Sequence, residues 1–100
     1  MYILVPMDSE DVQEAKLTKL DDVKVWAQLL IEEGELVEVN HNKEWDAFEN
    51  LSECVVVGDD GEYVWPFMEY NMMVLVAHTQ RTIDDIVEAF LFKELHELAY

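Results

Sequence analysis

Basic side chains are scarce in this chain of 100 residues. Six Lys and Arg residues stand against 23 Asp and Glu residues, which gives a formal net charge of −17 at pH 7. A surface this negative repels phosphate backbones and anionic lipid, so we expect neither nucleic acid nor a membrane surface as a partner. A basic protein partner, self-association and metal ions are compatible with the charge.

Cysteine and long hydrophobic runs are also scarce. The single cysteine, Cys54, excludes an internal disulfide, and its position in an apolar run predicts a buried thiol in a reducing compartment. No apolar run approaches the roughly 20 residues needed to span a bilayer. Residues 1–5 are apolar but lack the basic start of a signal peptide. We therefore expect a cytoplasmic protein.

What the chain does have is apolar and aromatic material, at 51% and 11% of its residues. A disordered acidic tail would lack this content, so the sequence predicts a folded core inside a negative shell. One hundred residues correspond to a single domain, spanning 1–100, that can bury one core without disulfides.

Hydrophobic patterning predicts an α/β fold with the element order β-ββ-α-β-α-β-α. The predicted elements are a strand at 2–5 ended by Pro6, a hairpin at 23–39 turning at Gly34, a helix at 43–51, a strand at 53–57, a short helix from Val64 or Trp65, a strand at 72–77, and a final helix capped by Thr82 with an apolar stripe to Leu98. Interior strands separated by helices imply parallel neighbours with right-handed crossovers, and the hairpin supplies an antiparallel edge.

Three segments carry a resemblance to a known family. They are the opening strand and its acidic exit at 1–8, the stretch 15–18 followed by the hairpin closing at 33–36, and the capped helix 82–91 ending in Glu94-Leu95. Together they resemble the dinitrogenase iron–molybdenum cofactor biosynthesis domain, the small module of nitrogenase accessory proteins. The resemblance implies a ribonuclease-H-like fold of three layers, in which a five-stranded mixed sheet carries helices on both faces.

Two departures from the family pattern fall at the expected ligand positions. Members of the family usually carry a His-Phe-Gly-Arg segment before the second strand, whereas this chain has Lys19-Leu20-Asp21-Asp22. They usually have a glycine-rich turn after the fourth strand, whereas only Gly58 and Gly61 remain here, separated by two aspartates. The resemblance therefore implies a divergent member with a degenerate ligand site.

Three residues are the candidates for binding a metallocluster. His78 ends the last predicted strand, at the carboxyl edge of the sheet, where open α/β sheets collect ligands. Met7 and Cys54 offer the soft sulfur that such clusters prefer. The alternatives are a solvated loop histidine and ordinary core packing for both sulfur side chains.

Acidic residues at the same edge suggest a divalent-ion site. Asp8 follows the first strand, and Asp59 and Asp60 follow the fourth. Carboxylates in such positions hold the divalent ions of metal-dependent hydrolases, which makes that activity a remote alternative. The competing interpretation is that acids cluster by chance when nearly a quarter of the residues are acidic.

The segment 65–70 concentrates large apolar side chains. Trp65, Phe67, Met68 and Tyr70 fall within six residues, and a helix this short cannot bury all four. The exposed remainder would form a partner-binding patch, whereas complete burial would make the cluster ordinary core.

The sequence favours a non-catalytic, acidic protein-interaction domain without a cofactor, because the departures fall at the ligand positions. The alternative is a metal-binding module or a carrier of an iron–sulfur or molybdenum cluster. The stretch 58–61 matches no glycine-rich phosphate loop, and the acids within it oppose phosphate.

Overall fold

A computed structural model describes residues 1–98 as a mixed α/β structure; residues 99 and 100, part of the predicted single domain, lie outside the described residues. Its strands and helices, in chain order, are β1 (Tyr2–Met7), β2 (Val25–Glu32), β3 (Glu35–Asn42), β4 (Cys54–Val57), α1 (Trp65–Glu69), β5 (Met73–Val76), α2 (Ile83–Leu91) and β6 (His96–Glu97). A short 3-10 turn at Leu20–Asp22 precedes β2. Within residues 1–98, no helix is long and apolar enough to cross a membrane.

The strands form one mixed sheet of six in the order β3-β2-β1-β4-β5-β6. The β1–β4 and β4–β5 pairs are parallel, whereas β1–β2, β2–β3 and β5–β6 are antiparallel. All four residues of β4 are buried, as expected for a strand covered on both faces. The predicted parallel interior and antiparallel hairpin are confirmed.

Alternating side chains divide the core into two clusters, one on each face of the sheet. Ile3 and Val56 belong to the first cluster, together with the buried face of α2. Leu4 and Val55 belong to the second cluster, together with Phe67 of α1. The two helices therefore cover opposite faces of the sheet, because successive residues of a strand point to opposite sides.

The hairpin forms where its glycine predicts it. Glu33 and Gly34 take positive φ values of 53° and 81°, the left-handed pair that joins two strands through a tight turn. The return strand β3 is longer than the sequence suggests, because it matches the eight residues of β2 and extends to Asn42.

The first strand does not end at Pro6, and that expectation was wrong. β1 continues through Pro6 to Met7, paired with β2. The parallel pairing with β4 involves Ile3 and Leu4, so the missing N–H of Pro6 falls beyond it. The Pro6 carbonyl still accepts a hydrogen bond from the Thr18 N–H at 3.0 Å.

The helix predicted at 43–51 is also absent, and turns and bends replace it. The Asn42 side chain accepts a hydrogen bond from the Glu44 N–H at 3.1 Å, which competes with helical pairing at the start of the segment. Trp45 and Phe48 still pack against the second cluster, so their spacing reports packing rather than a helix.

The C-terminal helix is shorter than the apolar stripe predicted up to Leu98, because the chain forms a further strand before that residue. The prediction of a five-stranded sheet was therefore wrong. α2 ends at Leu91, and Lys93, just beyond it, lies in the left-handed region at φ 59°. The Lys93 N–H donates to Phe90 O, and the Glu94 N–H donates to Ala89 O. These two bonds form a Schellman motif, which satisfies the last carbonyls of the helix. The chain then adds His96–Glu97 to the edge of β5 as a sixth strand.

Candidate partner-binding face

Helix α1 lies on the face of the sheet that carries the second core cluster. Val64 is its N-cap, and Pro66 lies in the first turn, where proline needs no helical hydrogen bond. Asn71, with φ 61°, ends the segment and returns the chain toward β5. The predicted helix start at Val64 or Trp65 is confirmed.

The apolar segment 65–70 divides between core and surface. Phe67 is 3% exposed and packs between two indoles, with ring centroids 5.7 Å from Trp26 and 4.9 Å from Trp45. Trp65 and Tyr70 are 55% and 57% exposed. One helix turn therefore anchors itself through a single aromatic ring and leaves two others in water.

The exposed part of this face extends beyond α1. Trp45, from the irregular segment that follows β3, contacts Tyr70 edge-on with ring centroids 5.0 Å apart. We call Trp45, Trp65, Met68 and Tyr70 the α1 patch; Trp45 and Met68 are half-buried. The sequence predicted a helix at 43–51 from the spacing of its apolar residues, and the place of Trp45 beside Tyr70 was not predicted.

The carboxyl edge of the parallel strands holds a different, mixed-charge cleft of about 220 Å³, lined by Leu17, Thr18, Lys19, Gly58, Asp59, Glu62 and Arg81. The Arg81 guanidinium donates to the backbone carbonyls of Ala77, His78 and Gln80 at 2.8–3.0 Å. These three bonds fix the loop after β5, so Arg81 is engaged with the backbone.

Carboxylates in this cleft are engaged as well. The Glu62 carboxylate accepts the Leu20 N–H at 3.2 Å, and burial raises the pKa of Glu62 above its ordinary value. Asp59 Oδ1 accepts the Gly61 N–H at 2.7 Å, and this bond lowers the pKa of Asp59 below its ordinary value. The predicted turn at 58–61 is therefore held by an aspartate side chain.

The proposed metal residues are not gathered into one site. Asp8 Oδ1 accepts the Lys16 N–H at 2.8 Å, while Asp59 and Asp60 belong to the turn after β4. Among residues 1–98, no group of three or more His, Cys, Asp or Glu residues is placed to hold a metal ion.

The three cluster-binding candidates are also separated. Met7 is fully buried in the first core cluster, and His78 is exposed beyond the end of β5. Cys54 begins β4, roughly 10 Å along that strand from its carboxyl end. His78 instead lies beside His96, with ring centroids 6.4 Å apart, a proximity created by the unpredicted strand β6.

Cys54 borders a separate, mainly apolar cavity of about 490 Å³ at the opposite edge of the sheet, which Met1, Met73 and Phe90 also line. Its Sγ lies 3.9 Å from Met1 Sδ. Burial, followed by the charges of Glu53 and Glu97, raises the pKa of the Cys54 thiol to about 11. The expected buried thiol is confirmed.

Comparison with known proteins identifies the fold. No family model matches the chain, and no curated protein matches its sequence. The crystal structure of PH0822 is similar with a TM-score of 0.72 at 15% identity, covering 98% of this chain and 96% of that one. The crystal structure of a protein named "putative dinitrogenase" (mj0327), from Methanocaldococcus jannaschii, is similar with a TM-score of 0.70 at 12% identity, covering 99% and 95%. The chain therefore shares its α/β fold with these two proteins over nearly its whole length.

Proposed function

We propose that this chain is a non-catalytic protein-interaction domain of the nitrogenase-cofactor-assembly type, whose α1 patch binds a basic partner protein. The single observation that carries the proposal is the division within α1: Phe67 is buried, while Trp65 and Tyr70 are more than half exposed. Large aromatic side chains of this kind dominate the binding energy of protein interfaces, so their exposure on a well-anchored helix supports a docking role.

We infer the ribonuclease-H-like arrangement of three layers as the parent fold, with β6 added to a sheet of five. Support comes from the helices on opposite faces of the sheet and from the similarity to the protein named "putative dinitrogenase". The free thiol of Cys54 supports a reducing compartment, for which we propose the cytoplasm.

A degenerate ligand site accounts for the carboxyl edge. Lys19, Leu20 and the two aspartates that follow stand where the family resemblance implies a His-Phe-Gly-Arg segment. The Leu20 N–H is bonded to Glu62, and Arg81 is bonded to the backbone, so both polar groups already have protein partners. This engagement supports an interaction role over ligand chemistry at that edge.

Charge sets the expected chemistry of the partner. A net charge of −17 steers positively charged surfaces toward the domain and repels a second acidic one. The α1 patch would then supply short-range contacts, with indole and phenol faces that attract cationic side chains. A basic partner therefore fits both the long-range and the short-range properties of this face.

The test is a titration with a short fluorescein-labelled peptide in which arginines alternate with leucines. We expect the double variant Trp65→Ala/Tyr70→Ala to bind this peptide at least about tenfold more weakly than the unmodified domain. Phe92→Ala is the matched control, because Phe92 is 71% exposed but follows α2, which covers the opposite face. Equal affinities for the double variant and the control would refute the proposal.

The cluster-carrier alternative is favoured by one observation, the pair formed by His78 and His96. Two exposed imidazoles at this separation offer a starting point for a metal or cluster ligand set. Anaerobic iron–sulfur reconstitution, followed by metal analysis and absorption spectroscopy, tests this function. Cluster absorption that is lost in His78→Ala would support it, and absence of bound metal would remove it.

A further inference from the structure

A polar cleft lies beside the α1 patch, on the same face of the sheet. It has a volume of about 340 Å³ between the β2–β3 hairpin and the irregular segment after it, and its lining residues are Gln28, Glu38, Asn40, Asn42, Ala47, Phe48, Glu49 and Asn50. We call it the amide cleft. Phe48 and Asn50 also line a smaller hollow that reaches Trp45 and Tyr70, so the cleft and the α1 patch adjoin.

The cleft has a buried polar residue in its wall. Gln28 is only 2% exposed, and its Nε2 donates to Asn50 O at 2.9 Å and to Ser52 Oγ at 2.8 Å. Because a carbonyl oxygen can only accept, these bonds fix the orientation of the amide and direct Oε1 away from Asn50.

Gln28 Oε1 accepts no hydrogen bond from residues 1–98. It is not sealed inside the protein either, because the one fully buried side-chain polar atom without a partner among these residues is His41 Nε2. An oxygen on a nearly buried side chain that lines a cleft, reaches solvent and lacks a protein donor can accept a hydrogen bond from water or from a ligand in that cleft.

The other groups of the cleft are complementary to a cation with several donors. Glu38 and Glu49 contribute exposed carboxylates, and the side chain of Asn40, the strand partner of Gln28, is also exposed. Phe48 adds a half-buried aromatic ring. In contrast, Asn42 is occupied, since its amide holds the neighbouring segment through Ala47 O and the Glu44 N–H.

We propose that the amide cleft binds the guanidinium group of an arginine side chain supplied by the basic partner. A guanidinium is planar and carries five N–H donors, so it can bond to carboxylate and amide oxygens while stacking on an aromatic ring. An ammonium group presents a compact charge with three donors and no flat face to stack on Phe48. This inference rests on the proposed function, because it names the side chain that the partner inserts next to the α1 patch.

The experiment compares the arginine peptide with the same peptide carrying citrulline, which has nearly the shape of arginine but no charge. For the unmodified domain, we expect the citrulline peptide to bind about tenfold more weakly. In Glu38→Gln, which keeps the size of the side chain, we expect this discrimination to fall, because the cleft loses one carboxylate while the long-range attraction of the acidic surface remains. Glu88→Gln is the matched control, because it makes the same charge change on α2, at the opposite face.

Equal discrimination in Glu38→Gln and Glu88→Gln would overturn the inference, since the charge would then act only at long range. Folding of each variant is checked by its NMR spectrum, which also reports Asn40 and Gln28 side-chain amide shifts during titration with N-acetylargininamide. Shifts at these two amides would support the cleft, and their absence would contradict it.

The two proposals fail in different ways. Peptide binding that requires Trp65 and Tyr70, and whose preference for arginine over citrulline is unchanged in Glu38→Gln, would keep the proposed function and overturn the arginine cleft. Shifts at Asn40 and Gln28 with N-acetylargininamide, combined with peptide binding that is unchanged in Trp65→Ala/Tyr70→Ala, would keep the cleft and refute docking through the α1 patch.

Discussion

Replacing Phe67 by alanine removes the one aromatic ring that anchors α1 to the sheet. Phe67 is 3% exposed and contacts the rings of both Trp26 and Trp45. Substitutions of this kind cost about 3–5 kcal/mol through lost burial and the cavity that remains. A single domain of this size has a free energy of unfolding of about 5–15 kcal/mol, so Phe67→Ala should remove a large part of the stability.

Urea denaturation followed by far-ultraviolet circular dichroism, at fixed salt, measures this loss. The control is Trp65→Ala, which removes a larger but 55% exposed side chain and should cost less than about 1 kcal/mol. A cost below about 1 kcal/mol for Phe67→Ala would refute the reasoning, because Phe67 could not then be the anchor of α1. Equal costs for the two variants would contradict the division between core and surface.

Three further predictions concern the helix cap, the thiol and the charge. Thr82 Oγ1 accepts the Asp85 N–H at 3.2 Å, so Thr82→Ala should lower the free energy of unfolding by about 1 kcal/mol in urea denaturation. Thr79→Ala, in the exposed loop before the helix, should leave it unchanged, and equal effects of the two substitutions would contradict the cap. Because the pKa of Cys54 is raised from 9.0 to about 11, the folded state disfavours the thiolate, and the free energy of unfolding should fall as pH rises through this window. Cys54→Ser should flatten that decline, and identical pH profiles would count against it. The net charge of −17 predicts self-repulsion, so the melting temperature should rise from low to moderate salt, and a flat response would contradict this expectation.

Local sequence signals predict how elements begin better than how they end. Gly34 fixes the hairpin turn and Thr82 fixes the start of α2, because each acts through its own backbone or side chain. The end of α2 depends on Lys93 in a left-handed conformation, which the sequence does not predict because lysine, unlike glycine, rarely adopts it. Strand β6 forms because the edge of β5 is available to His96 and Glu97. The residues around His96 do not predict this strand, since the pairing depends on a distant part of the chain.

The candidate site shows the same division. The sequence predicts a cluster of large apolar side chains at 65–70, but only tertiary packing decides that Phe67 is buried and that Trp65 and Tyr70 are exposed. The amide cleft is not predictable from the sequence either. Gln28 was one polar residue in a strand, and its place in the cleft wall depends on a following segment that packs without becoming a helix.

Hydrogen–deuterium exchange of the domain with and without the bound arginine peptide shows directly where a basic partner docks. We expect slower exchange at 43–50 and 63–70, the segments that carry the α1 patch and one wall of the amide cleft. Protection confined to the carboxyl edge, around 58–62 and 77–81, would contradict it, as would binding that leaves every segment unprotected.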